Sequence, residues 1–212
     1  MTKQLYRKYQ SGAINSLPVE RFKGRIITIS SRVDARRAVE YLLRQDILGF
    51  DTETRPQFHR GGRPNKVSIL QVATREECFI FKLYVSGVPE AVKPLLEDSQ
   101  VLKVALSWGD DTRSLHTRLD YQSGVFVDIQ QLVGKVGIED LSLQKVYANL
   151  FGRKISKKQR LTNWDNPDLQ PDQLVYAATD AWACIRIYEE LTHLISTADY
   201  NLIDSEPMNS ES

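Results

Sequence analysis

Strands and helices alternate along this 212-residue chain, and three observations make it an α/β protein. Ile47 to Thr52, Val67 to Ala73 and Glu77 to Phe81 are β-prone runs separated by polar breaks, the pattern of an antiparallel meander. Val101-Leu-Lys-Val-Ala-Leu106 is nearly continuous apolar sequence, as a parallel strand covered on both faces requires. From Gln173 to Ile195, Leu174, Val175, Ala178, Trp182, Ile185, Tyr188 and Leu191 recur at helical spacing, giving a long helix with one stripe toward a core.

Composition bounds the function. Lys plus Arg, 28, nearly cancel Asp plus Glu, 27, so no global field marks the protein as a polyanion binder. The apolar 42% and charged 26% are ordinary for a soluble globular chain large enough for one substantial domain. Cys78 and Cys184 sit in apolar-periodic contexts and read as reduced, buried thiols of a cytoplasmic protein. No apolar run approaches the ~18 residues of a membrane span, and the N-terminus does not read as a secretory signal.

Taken in order, residues 1–24 form an extension whose Ile14, Leu17, Val19 and Phe22 are spaced to dock on the domain surface. The domain itself runs over residues 25–197. Arg25 to Ser30 is a β-branched first strand, and Ser31 caps a helix with Val33, Ala35, Ala38, Val39, Leu42 and Leu43 inward. The next strand delivers Asp51 and Glu53, two residues apart and therefore on one side of it. The Gly- and Pro-rich loop from Arg55 to Lys66 is basic, and a short helix spans Pro89 to Glu97. After Leu106 the chain breaks at Ser107-Trp108-Gly109 and enters a helix through Asp110 and Asp111. Either aspartate could cap that helix, leaving the other to point out at a strand's carboxyl end, where ligands gather in such sheets. Val125 to Asp128 is a short strand, and Asp140 to Leu150 a helix that stops at Gly152. Arg153 to Arg160 holds five cations in eight residues. Pro171 suits the first position of the long helix, and Asp172 its positive end. Residues 198–212 turn polar and acidic, the composition of a disordered tail.

Tyr176 and Asp180 are one helical turn apart and share a face. Alone they could be a packed tyrosine and a solvated acid, but two further acidic clusters lie upstream. Four carboxylates from three segments, with a tyrosine, suit two cations, and oxygen-only ligation favours Mg²⁺ or Mn²⁺ over Zn²⁺.

Phe50-Asp-Thr-Glu53, Lys103-Val-Ala-Leu-Ser-Trp-Gly-Asp-Asp111-Thr-Arg-Ser-Leu115 and Tyr176-Ala-Ala-Thr-Asp-Ala181 resemble the three exonuclease motifs of the DEDD superfamily, tyrosine subclass. That family includes ribonuclease D and the exonuclease domain of the Werner syndrome helicase. The resemblance runs from Arg25 to Thr197. It implies a ribonuclease H-like α/β fold, a mixed five-stranded sheet with helices on both faces. It also implies 3′-to-5′ release of nucleoside 5′-monophosphates from single-stranded or 3′-recessed DNA or RNA, with two Mg²⁺ or Mn²⁺ ions. By the same resemblance Asp51, Glu53, Asp111 and Asp180 are the metal ligands, Leu115 selecting Asp111 over Asp110, and Tyr176 positions the attacking water. Thr52, Thr54, Arg55, Lys157 and Lys158 are candidate substrate contacts. Trp108 either stacks on a terminal base or plugs the end of the sheet. With no helicase region or helical nucleic-acid-binding domain in the sequence, a stand-alone form like the bacterial members is expected. The rival reading is a catalytically silent nucleic-acid-binding module of the same fold, against which all four carboxylates and the tyrosine are intact.

Overall fold

The computed structural model of the protein describes residues 2–57 and 64–204. The centre of the Arg55–Lys66 loop and the last eight residues of the expected tail lie outside those described. From the N-terminus, β1 (Lys3–Tyr6), α1 (Ser11–Ile14) and β2 (Val19–Glu20) precede β3 (Arg25–Ile29) and α2 (Arg32–Leu42). Then come β4 (Ile47–Thr54), β5 (Val67–Ala73) and β6 (Glu77–Lys82), α3 (Val88–Glu97), β7 (Leu102–Ala105) and α4 (Trp108–Leu115). The chain closes with β8 (Phe126–Asp128), α5 (Ile129–Val133), α6 (Leu143–Phe151), β9 (Lys154–Ile155), α7 (Pro171–Thr197) and β10 (Tyr200–Ile203).

The central sheet has the order β3-β6-β5-β4-β7-β8. β4, β5 and β6 form the antiparallel meander, while β3 runs parallel to β6, and β7 and β8 parallel to β4 and to each other. The sheet is mixed, with six strands rather than five. β3 supplies backbone partners for the outer edge of β6, which a five-stranded sheet would leave open.

Period-two alternation sends the two faces to separate cores. Leu48, Phe50, Leu70, Val72, Phe79 and Phe81 pack with α2 and α3. Ile47, Ile69, Ala73, Cys78, Ile80 and Val104 pack with α5, α6 and above all α7. Ser31 caps α2 by accepting from the Asp34 N–H, and Gly152, left-handed at φ 61°, ends α6. Both cysteines are free and buried.

The long helix crosses the sheet at close range because its contact face is small: Ala177, Ala178, Ala181 and Cys184. Opposite them on β4 stands Gly49, where an added Cβ would lie 2.1 Å from the Ala181 carbonyl oxygen. A side chain there would force α7 off the sheet. Cys184 Sγ, 3.7 Å from the Phe50 carbonyl oxygen, marks the same approach.

The N-terminal segment is bound into the domain. β1 pairs with β10 and β2 with β9, Leu5 is fully buried, and the Phe22 N–H donates to Thr179 Oγ1 at 3.0 Å. Residues 200–203 therefore depart from the expected tail. Leu202 lies opposite Leu5 and forms part of the core margin, an apolar contact that composition alone conceals.

Gly49→Ala should destabilise the protein by about 1–3 kcal/mol through overpacking. Gly134→Ala, where an added Cβ meets nothing within 4 Å, should change stability by less than ~1 kcal/mol. Urea unfolding of the two variants checks the difference; equal effects would mean that α7 does not depend on Gly49.

Candidate active site

β4 points Ile47, Gly49, Asp51 and Glu53 toward α7, so the close approach at Gly49 carries on directly into the two acids. Asp180 is the helix residue just before Ala181. Carboxylate oxygens of Asp51, Glu53 and Asp180 all lie within 4.8 Å of one another. Tyr176, one turn earlier and 6% exposed, brings its hydroxyl to Asp180 and its ring against Trp164, centroids 6.0 Å apart. Asp180 Oδ1 is buried without a hydrogen-bond partner among the described residues.

Asp111 arrives on α4 by a different device. Ser107 adopts a left-handed backbone, φ 62°, and turns the chain from β7 into the helix. Neither Asp110 nor Asp111 caps that helix. Asp128, at the end of β8, accepts the N–H groups of Ser107 and Trp108, each at 3.1 Å, and of Gln130 at 3.0 Å. Asp110 is left exposed and paired with Arg113. Asp111 turns inward and accepts from Thr52 Oγ1 at 2.5 Å, so the residue between the two β4 acids holds the second segment's acid.

Burial, and after it crowding, governs the electrostatics. Burial, then repulsion from Asp111, Asp180 and Glu53, pushes Asp51 well above the usual carboxylate range. Burial followed by Asp180 and Asp111 raises Glu53, against a downward pull from Arg160. Burial lifts Asp180 to about 7 despite its Tyr176 hydrogen bond and the charge of Lys157. It lifts Asp111 to about 7 despite the Thr52 bond. Burial and the surrounding carboxylates also raise Tyr176, holding it as a neutral phenol. Four clustered acids, one of them with a buried oxygen that no donor meets among the described residues, suit a hard divalent cation. Mg²⁺ and Mn²⁺ take such oxygen donors, Mg²⁺ at ~2.0–2.1 Å, and opposite ligands of one ion then stand ~4 Å apart.

The other candidates separate clearly. Lys157 and Arg160 lie near enough to influence Asp180 and Glu53, and Lys158 lines a small cavity with Tyr176. Thr54 is half-buried beside Glu53; Arg55 is exposed, its backbone N–H donating to Ser68 Oγ at 3.2 Å. Trp108 is no stacking platform. It is 7% exposed, its ring stacks on Phe126 at 3.8 Å and 12°, and Nε1 donates to Ser123 Oγ, so the sheet-plug alternative holds. Sequence reasoning missed Asp128, which no short motif marks. Gln173, which the family resemblance includes without giving it a role, donates its amide to Thr162 Oγ1 at 2.8 Å and ties the end of the Arg153–Arg160 segment to α7. The Gln170/Gln173 spacing at the helix start was the available signal: Gln173 Oε1 accepts the Gln170 N–H at 2.9 Å.

Comparison with known proteins bears on this arrangement. A family model described as 3′-5′ exonuclease matches residues 26–196, spanning all four acids and the tyrosine. The bifunctional 3′-5′ exonuclease/ATP-dependent helicase WRN of Mus musculus is 31% identical over 159 residues, 72% of this chain and 11% of that protein. A 3′-5′ exonuclease of Arabidopsis thaliana is 30% identical over 199 residues, 84% of this chain and 67% of that protein. The chain thus spans a small part of the first relative and about two thirds of the second. The Aedes aegypti Nibbler EXO domain shares the fold, with a TM-score of 0.76 at 22% identity, over 86% of this chain and 95% of that one. The mixed sheet flanked by helices is accordingly the ribonuclease H-like fold.

The raised carboxylates set a pH dependence in chelator. Their folded pKa values exceed the ordinary 3.8, so the folded state holds more protons than the unfolded between that value and about 7. The contribution of these acids to stability is therefore fully present below the ordinary range and is lost as pH rises toward about 7. Melting temperature in chelator should decline from pH 5 to neutrality, and Asp180→Asn should flatten the decline and raise the melting point at pH 7.5. A wild-type melting point that climbs across that interval would show the acids are not crowded.

Proposed function

Because the chain belongs to the 3′-5′ exonuclease family, we propose that it removes nucleoside 5′-monophosphates from nucleic-acid 3′ ends by two-metal-ion phosphodiester hydrolysis. The observation that carries this reading is the convergence of Asp51, Glu53 and Asp180 within 4.8 Å, with Tyr176 alongside. Two bound Mg²⁺ or Mn²⁺ ions would supply charge neutralisation at the phosphodiester and a water acidified for attack.

The chain's own residues divide the remaining work. Asp51, Glu53 and Asp180 would hold one cation, and Asp111, fixed by Thr52, would complete the ligand set for the second. Tyr176 stays protonated, which suits it to orient the attacking water by hydrogen bonding rather than to remove its proton. Lys157 and Arg160, already close to the acids, would face the negative scissile phosphate. Lys158, Arg55, Thr52 and Thr54 would contact the strand near its end. The substrate class is single-stranded or 3′-recessed DNA or RNA. Matched oligonucleotides of each kind, with and without a blocked 3′ end, test the proposal; degradation of the blocked strands would make the enzyme an endonuclease.

Activity should vanish in chelator and return with Mg²⁺ or Mn²⁺. Full turnover after exhaustive chelation would end the two-metal account. Tyr176→Phe should lower single-turnover rates by about 10²–10⁴-fold while calorimetric Mn²⁺ binding is retained. Asp180→Asn should lose both. Wild-type turnover in the Phe variant would leave Tyr176 a packing residue.

A further inference from the structure

α7 carries a second stripe beside the one that bears Tyr176 and Asp180. Asp172, Val175, Thr179, Trp182 and Arg186 follow one another at three-to-four spacing along it. The N-terminal segment lies over this stripe, fixed by the Phe22 N–H bond to Thr179. Two cavities open where they meet. One, about 90 Å³, is lined by Tyr176, Lys158 and Arg21. The other, about 340 Å³, is lined by Arg21, Lys23, Arg75, Arg153, Trp182 and Arg186. Glu20 and Arg21 border both, so the cavity that Tyr176 lines and the second cavity adjoin at the N-terminal segment.

That second cavity is strongly cationic, with five basic side chains in its lining and one acid. Its single acid, Glu20, faces Arg153 at 3.6 Å, and Arg75 is already bound to Asp46 and Glu189. Arg21, Lys23 and Arg186 have no acidic partner among the described residues. Arg21 and Lys23 are exposed, and the Arg186 guanidinium carbon lies 5.2 and 5.1 Å from the centroids of the Trp182 and Phe151 rings. A guanidinium held between two aromatic rings by cation–π contact loses little freedom on receiving a phosphate. Three cations without acidic partners lining one cavity can take up phosphate oxygens without first breaking an ion pair.

We propose that this cavity is a phosphate-binding subsite for the body of a nucleic-acid strand whose 3′ end lies at Tyr176. The proposal rests on the exonuclease reading for its direction: a strand reacting at its last phosphodiester must leave the acidic centre toward its 5′ side. Ten residues of α7 separate Tyr176 from Arg186, roughly 15 Å of helix axis. At ~3.4 Å per stacked nucleotide that spans about four nucleotides. The N-terminal segment, through Arg21 and Lys23, is thus part of the substrate path, and grip on the strand grows with its length.

The test is length-dependent binding and cleavage by the full chain, comparing wild type with Arg21→Gln/Lys23→Gln and with Arg21→Gln alone. In chelator, the double variant should bind a single-stranded decamer about tenfold more weakly. Its log Kd against log salt should flatten by about 1.4, at ~0.7 per lost phosphate contact. With Mg²⁺ or Mn²⁺, the kcat/KM ratio of decamer to dinucleotide should fall by a similar factor, because a dinucleotide cannot reach the cavity. Arg21→Gln alone replaces an exposed side chain with no acidic partner and should show about half of the slope change. Unchanged decamer affinity and salt slope in both variants would overturn the subsite, as would equal losses on decamer and dinucleotide. If wild type binds the decamer through these residues but cleaves nothing with either metal, the exonuclease reading fails and the anion subsite stands.

Discussion

The close approach of α7 to β4 at Gly49 is the contact on which the rest of the site depends. With an added Cβ only 2.1 Å from the Ala181 carbonyl oxygen, no other residue lets the helix rest on the strand. Two consequences follow from adjacency in sequence. Ala181 follows Asp180, and Gly49 precedes Asp51 by one strand repeat, so the backbone contact sets the distance between acids contributed by separate elements. Ala177, Ala178 and Cys184 extend the same small face, and the core beneath is correspondingly tight. Packing in this protein is therefore not background to the chemistry; it fixes the reach of the ligands.

The site works against stability. Burial is the first cause of the raised proton affinity of Asp51, Glu53, Asp111 and Asp180, and the neighbouring acids of the cluster raise Asp51 and Glu53 further. Such a cluster persists only because surrounding elements over-determine it. Thr52 holds Asp111, Asp128 gathers the backbone N–H groups of the turn that delivers it, and Gln173 ties down the basic loop. These supports are short-range hydrogen bonds from outside the acidic set. A cation entering the cluster would convert the repulsion into affinity, which is why a metal centre tolerates what a structural core would not.

Much of this was legible in the sequence, and the exceptions have physical reasons. Period-two spacing put Asp51 and Glu53 on one face, and helical spacing put Tyr176 beside Asp180; both are local rules that tertiary context did not overturn. The β4–β6 meander and the parallel β7 were readable from apolar runs of the right length. What could not be read depended on partners far along the chain. Asp128 caps a helix that begins about 20 residues earlier in sequence, so the two aspartates next to that helix looked like its caps. Trp108 beside a charged turn resembled a ligand platform, yet Phe126 occupies its face. Tyr200 to Ile203 reads as the start of a polar tail, and only pairing with β1 makes it a strand. The sixth strand of the sheet likewise depends on where β3 finds an open edge.

Charge distribution resolves what composition left blank. A formal net charge of +1 gives no long-range attraction for a polyanion, and four clustered acids would repel one at close quarters. At physiological ionic strength fields fade over about 8 Å, so only cations bordering the acids can offset that repulsion where a phosphate must sit. Lys157 acts on Asp180 and Arg160 on Glu53, both from the loop that Gln173 fixes to α7. The helix that carries the third-segment acid thus also anchors the positive rim around it. Moving α7 would displace acid and rim together, preserving their balance, whereas moving the loop alone would leave the acids facing a phosphate without compensation. The hydrogen bonds of Gln173 are accordingly as much a part of the electrostatics as the lysines themselves.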